Sequence, residues 1–246
     1  MRTLKLTIAY DGTNYAGWQR QANAMSIQQA LEDAFVPLVG GGRAPAVAGA
    51  GRTDAGVHAL AQVASVNVEF TFATDAVRRA LNVRLPYDIR VTAVEDAPLG
   101  FHARFHARGK SYRYRVVFSE VMSPFDRLYA WHAPERRDVD AMRRAAALFV
   151  GRHDFASFQA SSSMVSSTVR TIESIAVTGD QAGIVIDVAG EGFLYHMVRT
   201  MVGTLMEIGA GARQPEWILD VIAARNRRAA GPTVPACGLT LVEVRY

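Results

Sequence analysis

The feature that most limits how this chain can fold is an alternation of two hydrophobic periods along its 246 residues. Leu4, Leu6, Ile8 and Tyr10 occupy every second position, which is the period of a strand with one buried face. Behind Ser26 the apolar residues recur at helical spacing instead. Strand-like and helix-like stretches continue to alternate up to the last residue, so the sequence predicts an α/β protein.

The pattern predicts five helices. Ser26 and Gln29 match a capping box at the start of the first, and the glycines at 40–42 end it. Its apolar stripe is Ile27, Ala30, Leu31, Ala34, Phe35 and Leu38. The other helices are predicted after a cap-like Thr74, over Asp138–Val150, over Tyr195–Ile208, and from Pro215, a favourable first helical position.

Strands fill most of the remaining chain. After the first strand, they are predicted at residues 64–70 as a half-exposed strand, and at 89–95, 112–118, 169–178, 184–188 and 239–246. The two halves resemble each other and divide between Pro98 and Lys110, with no linker composition at the division. We therefore expect an N-terminal α/β subdomain over 1–105 and a C-terminal one over 106–246 that share a sheet.

Basic residues of this chain are nearly all arginines, because only Lys5 and Lys110 among the 27 are lysines. Arginine codons of a GC-rich genome would produce the same bias. Clustering is more informative: residues 102–115 read HARFHARGKSYRYR, with five formal positive charges, no acid and interleaved aromatic rings. That mixture suits a polyanion whose bases can be stacked on.

A single cysteine, Cys237, cannot form an internal disulfide, and we expect it to act as a small hydrophobe in a cytoplasmic protein. The chain has no apolar run long enough to span a bilayer, and its N-terminus reads as a strand instead of a signal peptide. The six histidines form no cluster with zinc spacing, and His102 and His106 lie beside a predicted strand. We therefore expect no metal.

The most informative stretch is GAGRTDAGVHAL at residues 49–60, where small residues flank Arg52, Thr53 and Asp54. Such a loop can present a carboxylate to a substrate without shielding by neighbouring side chains. In the alternative reading, Asp54 bonds its own backbone in an Asx turn. The loop lacks the Gly-Lys-Ser/Thr ending of a P-loop, the spacing of a dinucleotide fingerprint, and the second acid of a phosphoaspartate site.

Two further side chains are candidates for the same chemistry. Arg199 lies in the apolar stretch GFLYHMVRTMVG, where a charge is costly unless it is paired; it either extends to the surface or binds a carboxylate such as that of Asp54. Tyr112 opens the basic and aromatic strand. It is either a core tyrosine or a ring that stacks on an extruded base, with a hydroxyl available for proton transfer.

Seven segments together resemble the TruA family of tRNA pseudouridine synthases, in the family's order and nearly from end to end. GAGRTDAGVHAL at 49–60 resembles the family's catalytic loop and is the most specific of them. The others are YDGTNYAGWQRQ (10–21), NVRLPYDIRV (82–91), FHARFHARGKSYRYRV (101–116), GRHDFASF (151–158), GFLYHMVRTMVG (192–203) and AGPTVPACGLTLVEVRY (230–246).

The resemblance implies a function and a fold. The fold would be two ferredoxin-like subdomains that share a mixed, mainly antiparallel sheet flanked by helices, in a homodimer. The reaction would isomerise uridines at positions 38, 39 and 40 of the tRNA anticodon stem-loop, without cofactor or metal. Asp54 would be the nucleophile, Tyr112 the active-site tyrosine, Arg199 the partner of the catalytic aspartate, and Arg52 the arginine near the displaced base.

Two alternatives from other classes remain open on the residues alone. A non-catalytic RNA-binding module would explain the basic and aromatic strand, but not a single aspartate in a tight loop of small residues. A hydrolase could use Asp54 on a nucleoside or a sugar and release free base. The two differ from a synthase in their products, which an assay on tRNA distinguishes.

Overall fold

The computed structural model describes residues 1–160 and 165–246, which form two compact units. Unit 1 contains residues 1–108 and 241–246, and unit 2 contains residues 109–240. The division at residue 105 stays a prediction from the sequence. Each unit combines a mainly antiparallel sheet with packed helices, so the predicted α/β class is confirmed.

Unit 1 is arranged around its first strand, β1 (Arg2–Tyr10), which pairs antiparallel with both of its neighbours. These are β3 (His58–Val68) and β4 (Ile89–Ala97), and the short β2 (Val47–Gly49) pairs antiparallel with β3. The predicted buried face of β1 is confirmed, because Leu4, Leu6 and Ile8 are fully buried and Tyr10 is buried at the end of the strand.

Helix α1 (Ile27–Phe35) begins as predicted, since the Ser26 side chain accepts a hydrogen bond from the backbone N–H of Gln29 at 3.2 Å. It ends earlier than expected: a 3-10 turn over Val36–Val39 follows, because Pro37 has no N–H to continue the helix. The predicted stripe member Leu38 therefore lies beyond the helix and, like Ala30, is only half-buried. Gly40, in the left-handed region, closes the turn.

Two local predictions in unit 1 are wrong. Helix α2 (Thr74–Arg84) starts at Thr74 itself, its cap residue is Ala73, and no side chain caps it; Asp75 supplies negative charge in the first turn instead. Strand β3 begins at His58, six residues before the predicted start, and Phe70 lies outside it. The strand is less exposed than predicted, because Ser65 is buried as well, with its hydroxyl accepting the N–H of Ala103 at 3.1 Å.

Unit 2 contains a second antiparallel arrangement of strands. Strand β5 (Gly109–Val117) pairs with β9 (Gly183–Gly190), which pairs with β8 (Val169–Asp180), which pairs with β7 (Gly151–Asp154). The two-residue β6 (Trp131–His132) runs parallel to β5. The last strand, β10 (Leu239–Arg245), starts in unit 2, and its residues from 241 onwards belong to unit 1.

The helices of unit 2 are α3 (Val139–Ala147), α4 (Met197–Gly209) and α5 (Trp217–Ala224). Asp138 caps α3 by accepting the N–H of Ala141 at 2.8 Å. The start of α4 was predicted two residues early, because His196 has a left-handed φ of 65° that a helix cannot contain. Among the residues that the structure describes, no helix is both long and apolar enough to cross a membrane.

Candidate active site

The candidate site of unit 1 is the loop that joins β2 to β3. The N-terminal end of the loop is fixed by a hydrogen bond to β3, in which the N–H of Ala50 donates to the carbonyl of Val63 at 2.7 Å. Asp54 is half-buried, and its backbone carbonyl accepts the N–H of Val57 at 3.1 Å, which closes a tight turn. Gly56 has a φ of 78° within that turn. Backbone groups therefore take part in closing the turn at Asp54.

A second segment supports this loop, the turn after β1 that carries the DGTNYAGW sequence. The N–H of Trp18 donates to the carbonyl of Thr53 at 3.0 Å. A Cβ on Gly17 would lie 2.5 Å from the Thr53 oxygen and 3.0 Å from the carbonyl carbon of Asp54. The backbones therefore touch directly, which explains why small residues are required in both segments.

Buried polar side chains also hold the loop at Thr53 and at Gly51. The Tyr10 hydroxyl lies 2.8 Å from the Thr53 hydroxyl, and the Gln62 amide donates to the carbonyl of Gly51 at 2.9 Å. Burial raises the pKa of Tyr10 to about 12, so its hydroxyl stays neutral over the physiological range. Neither Tyr10 nor Gln62 is among the site residues predicted from the sequence. The only signal would have been a polar group at positions where β1 and β3 bury their side chains.

Arg52 has a different environment from its neighbours. Its side chain is exposed, and its Nε donates to the Gln19 side chain at 3.1 Å. This contact orients the Arg52 side chain. Gln19 lies next to Trp18, which also supports the loop. An exposed guanidinium next to the Asp54 loop is able to contact phosphate or the face of a base.

Tyr112 lies on β5 in unit 2 and is buried, with 8% of its surface exposed. The alternation predicted for this strand is confirmed, because Tyr114 and Val116 are buried on the same face while Arg113 is exposed. The ring of Phe193 packs edge-on against Tyr112, with centroids 5.0 Å apart. This packing fixes the orientation of the Tyr112 ring.

Arg199 is half-buried in the first turn of α4, and its Nε donates to the carbonyl of Val234 at 2.8 Å. Val234 belongs to the segment 230–235, which is itself fixed against α4. Arg227 donates to the carbonyl of Gly231 at 2.9 Å and to the hydroxyl of Thr233 at 3.0 Å. The guanidinium of Arg199 is therefore held at its Nε by a segment that is anchored independently.

The basic and aromatic stretch is more neutral than its sequence indicates. Arg113 forms two hydrogen bonds with Asp187, at 2.8 and 3.2 Å, and Arg115 forms one with Asp126 at 2.9 Å. Two of its five positive charges therefore face carboxylates that lie outside the stretch. No group of three or more His, Cys, Asp or Glu side chains in residues 1–160 and 165–246 could hold a metal ion.

The structure thus gathers Arg52, Thr53 and Asp54 on one loop of unit 1, with Tyr10 and Gln62 behind them. Tyr112 and Arg199 belong to unit 2, on β5 and α4.

Comparison with known proteins gives a consistent result over the whole chain. A family model described as tRNA pseudouridine synthase matches residues 6–106 and 145–246. Curated relatives named tRNA pseudouridine synthase A include those of Pelobacter propionicus, 46% identical over all of both chains, and Acetivibrio thermocellus, 44% identical over all of both chains. The relative of Limosilactobacillus fermentum is 46% identical over 100% of this chain and 96% of its own.

Proposed function

The chain belongs to the tRNA pseudouridine synthase family, and we propose from this premise that it converts uridine to pseudouridine in tRNA. The observation that carries the proposal is the full-length match to relatives of that name, combined with the tightly supported loop that contains Asp54. We extend the proposal to uridines at positions 38, 39 and 40 of the anticodon stem-loop, which the resemblance to the TruA family implies.

The reaction needs no oxidant or reductant, because uridine and pseudouridine are isomers. The bond between N1 and C1′ breaks, uracil rotates, a bond between C5 and C1′ forms, and the proton of C5 is lost while N1 gains one. We propose the Asp54 carboxylate as the nucleophile, which attacks the sugar or stabilises the positive charge that develops there, as carboxylates do in glycosidases. Uracil leaves as a comparatively stable anion, so a second carboxyl group is not required.

Arg199 and Tyr112 complete the proposed catalytic group. We assign Arg199 the role of keeping the aspartate ionised and aimed, which suits a guanidinium whose Nε is fixed on the Val234 carbonyl. We assign Tyr112 the role of stacking on the uracil, and either Tyr112 or a water molecule takes the C5 proton. The Phe193 ring that holds Tyr112 supports a fixed stacking surface.

A uridine in an RNA stem must leave the helix before any residue can reach its sugar, at a cost of a few kcal/mol. We propose that Arg52 occupies the place of the displaced base. The exposure of its side chain and the contact of its Nε with Gln19 support this role.

The decisive experiment measures tritium release from C5-labelled uridine in tRNA, comparing the wild type with Asp54→Asn. We expect the substitution to abolish release while tRNA affinity stays within about twofold, since the amide keeps the shape of the side chain but cannot act as the nucleophile. Asp33→Asn, at an exposed position of α1, is the matched control and should behave as the wild type. Turnover by Asp54→Asn would remove Asp54 from the proposed role.

The same assay separates the other candidate functions. Tight binding of the anticodon stem-loop without any product would indicate an RNA-binding module, and free uracil would indicate a hydrolase. Arg199→Lys should lower the rate severely, because lysine cannot reproduce the planar fork of arginine. If this variant loses only thermal stability, the arginine is structural.

Three further features complete the proposal. The resemblance implies a homodimer, the single cysteine favours the cytoplasm, and the resemblance implies that no cofactor or metal is needed. Light scattering tests the first of these, since a dimer has twice the 26.8 kDa mass of the chain. Activity that survives exhaustive treatment with a chelator would support the last.

A further inference from the structure

We propose that Tyr10 and Gln62 are positioning residues, which set the place of the Asp54 carboxylate by fixing the two residues that bracket Arg52. The inference rests on the proposed role of Asp54 and adds two residues to the machinery of the same loop. Tyr10 acts on the Thr53 hydroxyl, and Gln62 acts on the Gly51 carbonyl.

The first observation is the burial of the groups. Gln62 is fully buried, Tyr10 is 4% exposed and Thr53 is 7% exposed. Polar side chains are seldom placed in a core, because an apolar residue of the same shape costs no desolvation. The desolvation cost of these buried side chains is offset only while their hydrogen bonds are kept.

The second observation is that donors and acceptors match along this chain of hydrogen bonds. The Gln62 amide oxygen accepts the N–H of Val63 at 3.2 Å, which turns its NH₂ group towards the Gly51 carbonyl at 2.9 Å and the Tyr10 oxygen at 3.5 Å. If Gln62 donates to Tyr10, the Tyr10 hydroxyl is left to donate to Thr53, 2.8 Å away. The network therefore holds the loop at two separate points.

The third observation is that a second segment also fixes Thr53. The N–H of Trp18 binds the Thr53 carbonyl, and the backbone at Gly17 lies against residues 53–55. With the Thr53 carbonyl held by Trp18 and its hydroxyl held by Tyr10, rotation of the Thr53 peptide is restricted. Asp54 is the next residue, so the direction of its side chain follows from that constraint.

A positioning role has a large expected effect on rate, since a displacement of about 1 Å at a reacting group can cost about 10²-fold. Glycines at 49 and 51 make the loop backbone easy to distort once the network is lost. Because the Tyr10 hydroxyl stays neutral well above the working pH, its removal should lower the rate equally across that range.

The experiment compares Tyr10→Phe with Tyr246→Phe, using kcat, KM and thermal melting. Each variant loses one tyrosine hydroxyl that forms a 2.8 Å hydrogen bond, but the Tyr246 hydroxyl binds the carbonyl of Ala103. We expect Tyr10→Phe to lower kcat about tenfold with KM within about twofold. Tyr246→Phe should leave both constants unchanged. Equal kcat values for the wild type and Tyr10→Phe would overturn the proposal.

A second pair of variants keeps the test decisive if Tyr10→Phe is unstable. Thr53→Val removes the hydroxyl that Tyr10 contacts, and Thr53→Ser keeps it. We expect the loss of kcat with valine and its recovery with serine. The double variant Tyr10→Phe with Thr53→Val should be no slower than Thr53→Val alone, because both changes remove one interaction. Additive losses would show that the two residues act separately.

Hydrogen exchange of residues 50–57 provides a readout that does not depend on catalysis. Exchange should accelerate in Tyr10→Phe and not in Tyr246→Phe, because only the first change releases the loop. If the wild type forms no pseudouridine, the proposed function fails while the exchange result still decides whether Tyr10 holds the loop. If the wild type is active and exchange is unchanged in Tyr10→Phe, the positioning role alone is wrong.

Discussion

At the scale of single residues, the loop that carries Asp54 depends on a contact that only glycine permits. Gly17 has a φ of 90°, and its α-carbon faces the backbone of residues 53–55 with no room for a side chain. Two separate penalties therefore oppose any substitution there, one from the backbone angle and one from the overlap. The cost of the backbone angle can be measured separately from the cost of the overlap, because other glycines, such as Gly41, have a positive φ but no close neighbour.

Gly17→Ala is expected to destabilise the fold by about 3 kcal/mol and to reduce activity, through strain plus overlap with the Thr53 carbonyl. Gly41→Ala is the matched control, since Gly41 has a similar φ of 79° but no atom within 4 Å of the added carbon. It should cost about 1–2 kcal/mol from strain alone and keep full activity. Urea unfolding and the tritium assay give both quantities. Equal costs for the two variants would show that the overlap at Gly17 relaxes freely.

The residues of this site differ in how far the sequence predicts their roles. Asp54 was a candidate because of the small residues around it and the family resemblance, and its catalytic role stays a proposal. Tyr10 and Gln62 were not, since each acts on a loop residue at some distance in the chain, and strand alternation marks Tyr10 simply as buried. Periodicity reports which side a residue faces, whereas hydrogen-bond partners are decided by the folded chain.

At the scale of elements, α4 and the segment 230–235 are packed with almost no separation. A Cβ on Gly203 would overlap the carbonyl oxygen of Pro232, and a Cβ on Gly231 would also lie too close to the backbone of Thr204. Thr204 accepts the N–H of Gly231 at 3.0 Å, and Thr200 lies 3.2 Å from the Thr233 hydroxyl. The segment that supports Arg199 is thereby attached to α4 at residues 200–204.

Gly203→Ala should therefore lower stability, although alanine normally favours a helix by about 1 kcal/mol over glycine. We expect a net loss of about 1–3 kcal/mol and a reduced kcat, because the displaced segment moves the Arg199 support. Gly209→Ala in the same helix is the comparison: its Cβ would meet chiefly the flexible Met142 side chain, which can move aside. Denaturant unfolding should then show a clearly smaller loss. A stabilised Gly203→Ala variant would contradict the close packing.

Most elements could be predicted, and their ends could not. Alternation located β1, β4, β5 and β8, and the cap at Ser26 located α1. The start of α4 was missed because the left-handed backbone of His196 leaves no mark on hydrophobic spacing. The early start of β3 was missed because residues 58–63 do not alternate: the strand is buried on both faces for much of its length.

At the scale of the whole molecule, the interior contains several tyrosines whose hydroxyls are removed from water. Burial is the main cause that raises the pKa of Tyr10, to about 12, and of Tyr15, Tyr114 and Tyr246 as well. In an unfolded chain tyrosines ionise near pH 10. A group whose pKa is higher in the fold contributes stability that is fully present below the unfolded value and is lost as the pH rises towards the folded one.

We therefore expect stability to be insensitive to these groups below about pH 10 and to fall progressively above it. Phenolate absorbance provides the measurement. In the folded protein fewer than the eight tyrosines of the chain should ionise before unfolding, whereas all eight should ionise in concentrated urea. Circular dichroism recorded in parallel marks the unfolding itself. Ionisation of all eight with an unchanged circular dichroism spectrum would show that the four hydroxyls are accessible.

In the whole molecule, ion pairs limit what the net charge and the number of arginines indicate about a binding partner. The formal charge of +4 and the arginine-rich stretch indicated a polyanion partner, yet Arg113 and Arg115 lie against Asp187 and Asp126. Both acids lie outside the stretch, so a count of charges within it overestimates the field that a partner meets. The place of residues 241–246 in unit 1 likewise depends on contacts with distant parts of the chain, such as the bond of the Tyr246 hydroxyl to the Ala103 carbonyl.

The direct backbone contact between Gly17 and residues 53–55 also has a consequence for engineering. Segments 10–21 and 49–60 behave as one interchangeable part even though the chain separates them. A chimera that takes one segment from a distant relative and keeps the other would bring together two backbones that are not complementary in shape. Recombination libraries should therefore transfer the two as a pair, with crossover points outside both.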